Sequence, residues 1–359
     1  MKTLEEARRE FSFLEDHIYL DTATTGLAWD GQAEAAGGFY TDAKRMGYVG
    51  SNVWNGKEQA VRKRLAKLLH AVPEEIYFYS STTEFVNLIA HSLTLSPGDQ
   101  ILMAEGEYPA ITAPWEFLRE RGVEIVRRSV SSEETRQQDL LRGLTERTRL
   151  VLLSHVQYTT GTKADLAAVG KDCHEAGAFV LVDGTQGLGA VPVNLEDVDF
   201  YVSSTFKWIL GAFGLSVAVV KKEAEKQLRP AYAGYGGNKL QYTSVNYPTL
   251  WALDAALDLF EEVGWTRIYD QVAQVTDFLM DGLKDLGISV LTPRNARAGI
   301  VSFRHPRGGQ IERAMAQRKI YFAYRDGYVR IAPHFYNTVE DVRTMLNALR
   351  ECLTMSEGK

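Results

Sequence analysis

The chain has 359 residues, 45% hydrophobic and 24% charged, which excludes a disordered, collagen-like or disulfide-stapled protein and leaves room for two domains. Forty Lys and Arg against 46 Asp and Glu give a net charge of −6, so the surface as a whole offers no positive footprint for nucleic acid or an anionic membrane. A small-molecule substrate is expected.

The opening residues, MKTLEEARREF, are acidic and lack an apolar core, so they read as neither a signal nor a transit peptide. Apolar runs are strand-length, far short of a membrane span, and a cytoplasmic location is expected. Cys173 and Cys352 form no C-x-x-C pair, so they build neither a zinc cage nor a disulfide framework, and no metal is expected. Cys173 lies in a helical pattern and is expected in the core.

From about residue 58, β-branched and aromatic runs alternate with amphipathic stretches. Strands are predicted at 76–80, 100–104, 124–127, 150–155, 179–183, 199–203 and 215–220, with helices at 58–69, 83–93 and 164–176 among them. This alternation predicts an α/β fold with a doubly wound, mostly parallel central sheet flanked by helices. A Gly- and Tyr-rich segment, 231–247, interrupts it and precedes a helix over 249–264. Strands at 288–291, 299–304 and 328–332 then read as a smaller α+β domain. The expected division is an N-terminal segment at 1–20 packing near the small domain, a large domain at 21–235, and a small C-terminal domain with its inter-domain helix at 236–359.

Ligands of open parallel sheets bind outside the carboxyl ends of the strands, so the residues that follow each strand carry the chemistry. Ser80-Ser81-Thr82-Thr83 runs into a helix, where hydroxyls and backbone N–H groups can hold a phosphate; a plain Ser/Thr N-cap with Glu84 explains the same residues. Asp183 ends FVLVD and could hold a protonated ring nitrogen, with Gln186 three residues on; a helix N-cap is the alternative. The glycines at 184, 187 and 189 are not spaced as G-x-G-x-x-G, which argues against a dinucleotide loop. Lys207, in STFKW, sits in an apolar and aromatic stretch, and desolvation of such a lysine frees its amine for Schiff-base formation. Ser204 to Lys207 also fits S-x-x-K, but the companion motifs of penicillin-recognising enzymes are missing. Tyr108, after QILMA, offers a ring that could stack on a planar cofactor.

Phosphate cradle, stacking ring, ring-nitrogen acid and lysine, in that order, resemble the fold type I enzymes of pyridoxal 5′-phosphate, and among them the class V aminotransferase and cysteine desulfurase family. The likeness runs from YLDTATTGL at 19–27, through SSTTEFVNL, VDGTQ and STFKW, to RIAPHFYNT at 330–338. It implies that Lys207 carries the cofactor as a Schiff base and shuttles the Cα proton. Asp183 would pair with the pyridine nitrogen, Gln186 would lie near the phenolic oxygen, and Thr82, Thr83 and Ser204 would hold the phosphate. Arg330 would clamp the substrate carboxylate, with Ala23 and Thr24 also at the substrate. It further implies a homodimer, with Asn246 or Tyr247 reaching the partner's phosphate.

Several positions depart from the desulfurase pattern. Tyr108 and Phe206 stand where those enzymes have histidines, and Gln157-Tyr158 where they carry an asparagine at the phenolic oxygen; Gln157 is taken as the contact. The loop before the arginine motif, Tyr324 to Tyr328, is short and holds no cysteine. A persulfide-carrying desulfurase needs that nucleophile. The expected reaction is therefore elimination of a thiol from Cβ of a cysteine conjugate, with Tyr108 able to protonate the departing sulfur. Transamination is the second reading; decarboxylation with oxidative deamination, racemisation or epimerisation, and kynureninase-like cleavage use the same scaffold. A non-catalytic cofactor-binding protein is opposed by the intact Lys207 and Asp183. The substrate pocket is expected in loops 22–29 and 45–54.

Overall fold

The computed structural model describes residues 1–229, 231–234 and 240–354. Its strands in chain order are β1 Ile18–Tyr19, β2 Ile76–Tyr79, β3 Gln100–Ala104, β4 Glu124–Arg128, β5 Thr148–Ser154, β6 Phe179–Asp183, β7 Phe200–Ser204, β8 Ser216–Val220, β9 Val301–Arg304, β10 Ile320–Tyr321, β11 Ala323–Arg325 and β12 Tyr328–Ile331. Seven form one sheet in the order β2-β8-β7-β6-β5-β3-β4. It is mostly parallel: only β8 runs against its neighbours, pairing antiparallel with both β2 and β7.

The near-continuous apolar runs of these strands follow from burial on both faces. Alternate residues point to opposite sides, so one core takes Phe78, Leu102, Val151, Val180 and Val217, and the other takes Tyr77, Ile101, Leu152, Leu181 and Ala218. The first is covered by helices Ser51–Leu69, Leu166–Glu175 and Tyr247–Val263, the second by helix Thr82–Ser92. Cys173 lies in the first core, as its helical pattern suggests.

The smaller sheet has the order β11-β12-β9 and is antiparallel. Its apolar face, Val301, Phe303, Val329 and Ile331, packs with Val275, Leu279 and Leu283 of helix Trp265–Asp285 and Met345 and Leu349 of helix Val339–Thr354. β1 pairs in parallel with β10, and a bridge joins Asp21 to Ala332, so the N-terminal strap threads past the end of β12. Among the described residues, no helix is long and apolar enough to cross a membrane.

Two local expectations differ. Residues 45–54 are not a pocket loop: helix Asp30–Met46 ends there, a 3-10 turn spans Gly47–Gly50, and helix Ser51–Leu69 begins. Helix Asp30–Met46 buries none of its residues, so it has no apolar stripe from which it could be read. Residues 288–291 make only a bridge, Val290 to Phe303, in place of a strand. The linker expected at 231–247 includes 235–239, and those residues, with the 235/236 boundary, lie outside the described residues.

Candidate active site

The carboxyl ends of β5, β6 and β7 converge on a cavity of about 150 Å³ lined by Thr82, Thr83, Tyr108, Asp183, Gln186, Ser204 and Lys207 among others. The sheet register explains the convergence. Ser154 is paired with Asp183 across β5 and β6, and β7 pairs with β6 one strand further. Thr82 and Thr83 open helix Thr82–Ser92, whose cap is Ser81: its hydroxyl accepts from Glu84 N at 3.1 Å. The N-cap and phosphate readings therefore fall on different residues, leaving both threonines at the positive end of the helix and facing the cavity.

Asp183 is buried, and burial pushes its carboxyl above the usual range. One oxygen accepts from Thr185 N at 2.9 Å, and among the described residues no cation lies within ion-pair distance. A buried carboxylate with one backbone partner, open to a cavity, fits a ligand that brings a protonated nitrogen. Thr185 in turn accepts from Ser204 N at 3.1 Å, tying the two strand ends together.

Lys207 lies three residues past β7, half-buried. Its Nζ stands 6.0 Å from the Tyr108 ring centroid and 5.7 Å from that of Phe206. Desolvation lowers its amine to about 8, against the opposing pull of Asp183, while the charges of Arg330 and Arg325 lower it further. The free-amine fraction near neutrality is thus raised, as a Schiff-base lysine requires. Gly26 holds this loop from the other side: its N–H donates to Phe206 O at 2.9 Å, and a Cβ there would run into the Lys207 carbonyl.

Gln186 lines the cavity with half its amide spoken for. Its oxygen accepts from Trp208 Nε1 at 2.7 Å and its nitrogen donates to Ala23 O at 2.9 Å, leaving one amide hydrogen for a ligand oxygen. Arg330 is buried and lies outside the cavity lining. It donates to Tyr158 O at 2.9 Å and Thr24 Oγ1 at 2.6 Å, lies 3.5 Å from Asp21, and keeps a buried Nε with no partner. That donor set, with Thr24 beside it, suits a carboxylate.

One expected residue takes a different place. Gln157 does not line the cavity: its oxygen accepts from Thr159 N and Thr160 N at 2.6 and 2.7 Å, and its nitrogen donates to Gly106 O at 2.8 Å. Its amide braces the loop, and the neighbouring Tyr158 lines the cavity instead, edge-on to Tyr108 at 5.1 Å. The turn that begins at Tyr158 decides which of two adjacent polar residues faces in. Asn246 and Tyr247, expected at a partner's phosphate, lie outside this protomer's cavity; Tyr247 donates to Asn55 at 3.0 Å and stacks on Phe39. Glu107, whose role the sequence did not signal, is buried with Ser154 Oγ donating to it at 2.5 Å and Arg136 at 3.6 Å, anchoring the Tyr108 loop to β5.

A lysine three residues beyond a strand, an aspartate ending the adjacent parallel strand, and a helix N-terminus in one cavity define a fold type I enzyme whose cofactor is pyridoxal 5′-phosphate. The aminotransferase class-V family model matches residues 18–345, and the chain belongs to that family. An aminotransferase of Bacillus subtilis (strain 168), YcbU, is 23% identical over 364 residues, with 96% of this chain and 97% of that protein covered. Among solved structures, the apo cysteine desulfurase of Thermococcus onnurineus NA1 superposes with a TM-score of 0.91 at 24% identity over 99% of each chain. The cystine C-S lyase C-DES, in complex with cysteine persulfide, superposes at 0.88 with 24% identity, over 95% of this chain and 99% of that one. At these identities the structural likeness establishes the fold alone.

Proposed function

We propose that this enzyme is a C–S lyase that eliminates a thiol from Cβ of a cysteine-type amino acid, the organic remainder ending, with water, as pyruvate and ammonia. The observation that carries this reading is a phenol at the mouth of the cavity together with a turn that has no room for a cysteine. Tyr108 is 39% exposed, with its ring 6.0 Å from Lys207 Nζ. β11 and β12 are joined by Asp326-Gly327, both at positive φ, the two-residue hairpin turn that Asp-Gly favours. Elsewhere, Cys173 is buried, its thiol pushed up to about 12, and Cys352 packs against the core of the small sheet. Neither suits a persulfide carrier.

Pyridoxal 5′-phosphate, when bound, supplies the electron sink that labilises bonds at the substrate Cα. Thr82, Thr83 and Ser204 hold its phosphate, Asp183 its ring nitrogen, and Gln186 donates its remaining amide hydrogen to the phenolic oxygen. Lys207 is the Schiff-base residue and takes the Cα proton. Arg330 holds the α-carboxylate, for which its unpartnered Nε is the donor left over. The Cβ–S bond breaks with both electrons on sulfur, and Tyr108 gives sulfur its proton and recovers one from solvent. Release of pyruvate and thiol from S-substituted cysteines, reduced roughly 100-fold in Tyr108→Phe, is expected. Accumulation of the pyridoxamine form of the cofactor with ordinary amino acids, and no pyruvate from any conjugate, would instead establish a transaminase.

The enzyme is also proposed to be a homodimer. Tyr40, Tyr48, Val49 and Val53 are more than half exposed, and Tyr247 stacks on Phe39 beside them, an apolar surface of the kind that a second copy covers. A fully active species sedimenting at monomer mass would overturn this.

A further inference from the structure

The β11–β12 hairpin carries a second arginine, Arg325, close to Arg330. In the β11–β12 register Ala323 lies opposite Arg330 and Arg325 opposite Tyr328. Directly paired residues of an antiparallel ladder share a face, as do residues two apart along a strand. Arg325 and Arg330 therefore stand on one face as diagonal neighbours, their backbones roughly 7–8 Å apart. The opposite face, with Val329 and Ile331, is committed to the core.

The two guanidinium groups differ in what they already hold. Arg330 is buried and engaged with Thr24, Tyr158 O and Asp21. Arg325 is exposed and, among the described residues, makes no hydrogen bond or ion pair. Its charge nevertheless acts on the site: it lowers the Lys207 amine, lowers Arg330 and favours ionised Asp21. Two like charges on one face disfavour each other, and Asp21 is already shared. An α-carboxylate on Arg330 would leave Arg325 without a counter-charge of its own.

We infer that Arg325 is a second carboxylate-binding residue that selects substrates whose side chain or leaving thiol ends in a carboxylate, so that the preferred substrate is a dianionic amino acid. The diagonal placement suits it: the two carboxylates of one small molecule meet two arginines on one face, each with fork geometry for an oxygen pair.

The test uses holoenzyme and two conjugates differing by one group, S-(2-carboxyethyl)cysteine and its amide S-(2-carbamoylethyl)cysteine; this choice rests on the lyase reading. Wild type should prefer the acid in kcat/KM, chiefly through KM, and Arg325→Gln should cut the acid-to-amide ratio roughly 10- to 100-fold, with Arg325→Lys in between. An equal ratio in wild type, or one that survives Arg325→Gln, overturns the inference. Calorimetric binding of two inert ligands, glutarate and its monoamide, asks the same question without turnover. A preference for glutarate that is lost in Arg325→Gln supports Arg325 even if neither conjugate reacts, which would count against the lyase reading alone. No preference for glutarate, or one that Arg325→Gln retains, counts against Arg325.

Discussion

The strand-end cavity and the arginine hairpin hold their functional groups by different means. Asp183, Ser204 and Lys207 stand at or just past the ends of paired strands, so the backbone ladder fixes them before any side chain packs. Arg330 and Arg325 are aimed by a hairpin register, and Arg330 is steadied by contacts from Thr24 and Tyr158, which are distant in sequence. The first arrangement rests on strand pairing and presents groups whose chemistry suits a cofactor. The second is assembled from separate segments, and a change of turn or register there alters the substrate without disturbing the cofactor site. A family that varies its reactions on one scaffold has the freedom to do so in the second region.

That contrast breaks most sharply at Lys207. Replacing it by alanine should lower turnover by at least about 10⁴-fold and abolish the visible band of lysine-bound cofactor. Comparable turnover in the variant, or an unchanged spectrum, would remove Lys207 from its role. Without cofactor the same lysine carries a measurable cost. Burial lowers its amine to about 8 in the folded chain against 10.5 for an ordinary lysine, so between those pH values the unfolded chain binds more protons and folding stability rises with pH. Below about pH 8 the penalty is complete, about 3 kcal/mol. Apo Lys207→Met should therefore lose that pH-dependent component: denaturant midpoints of wild type, relative to the variant, should climb from pH 8 to 10.5. Parallel curves would show that burial does not perturb the lysine.

The same difference explains what was legible in the sequence. Strand-end residues are read by position: a buried apolar run that stops at Asp183 or Ser204 names the residue at the cavity. The parallel character of the sheet, the cavity and its lining by Thr82, Tyr108, Asp183, Gln186 and Lys207 follow from that pattern. Gln157 was misread because two adjacent polar residues, 157 and 158, follow β5, and only the local backbone decides that Tyr158 faces in. Glu107 was invisible because its meaning lies in Ser154 and Arg136, distant in sequence. Helix Asp30–Met46 escaped because it buries nothing. Arg325 gave no signal because an exposed arginine beside a turn looks like any solvated charge until the register shows it sharing a face with Arg330.

Gly26 links the two regions and offers the finest cut between them. It sits in the strap that carries Asp21 and Thr24 toward Arg330, and its N–H bonds to Phe206 O in the lysine loop. A methyl group at this position would press on the Lys207 carbonyl and the Leu210 side chain, and the carbonyl belongs to a loop whose next turn already places Leu210 at a φ of 52°. Backbone on both sides cannot yield as a flexible side chain would, so Gly26→Ala should destabilise the protein by about 1–3 kcal/mol. Because the strap and the lysine loop must then part, the variant should lose turnover beyond its loss of stability, with KM for the substrate rising as Thr24 moves from Arg330. Chemical denaturation and steady-state kinetics on the same preparation separate these effects. An alanine variant with wild-type stability and KM would mean that the strap and the loop move independently, and that the two regions are coupled only through the substrate.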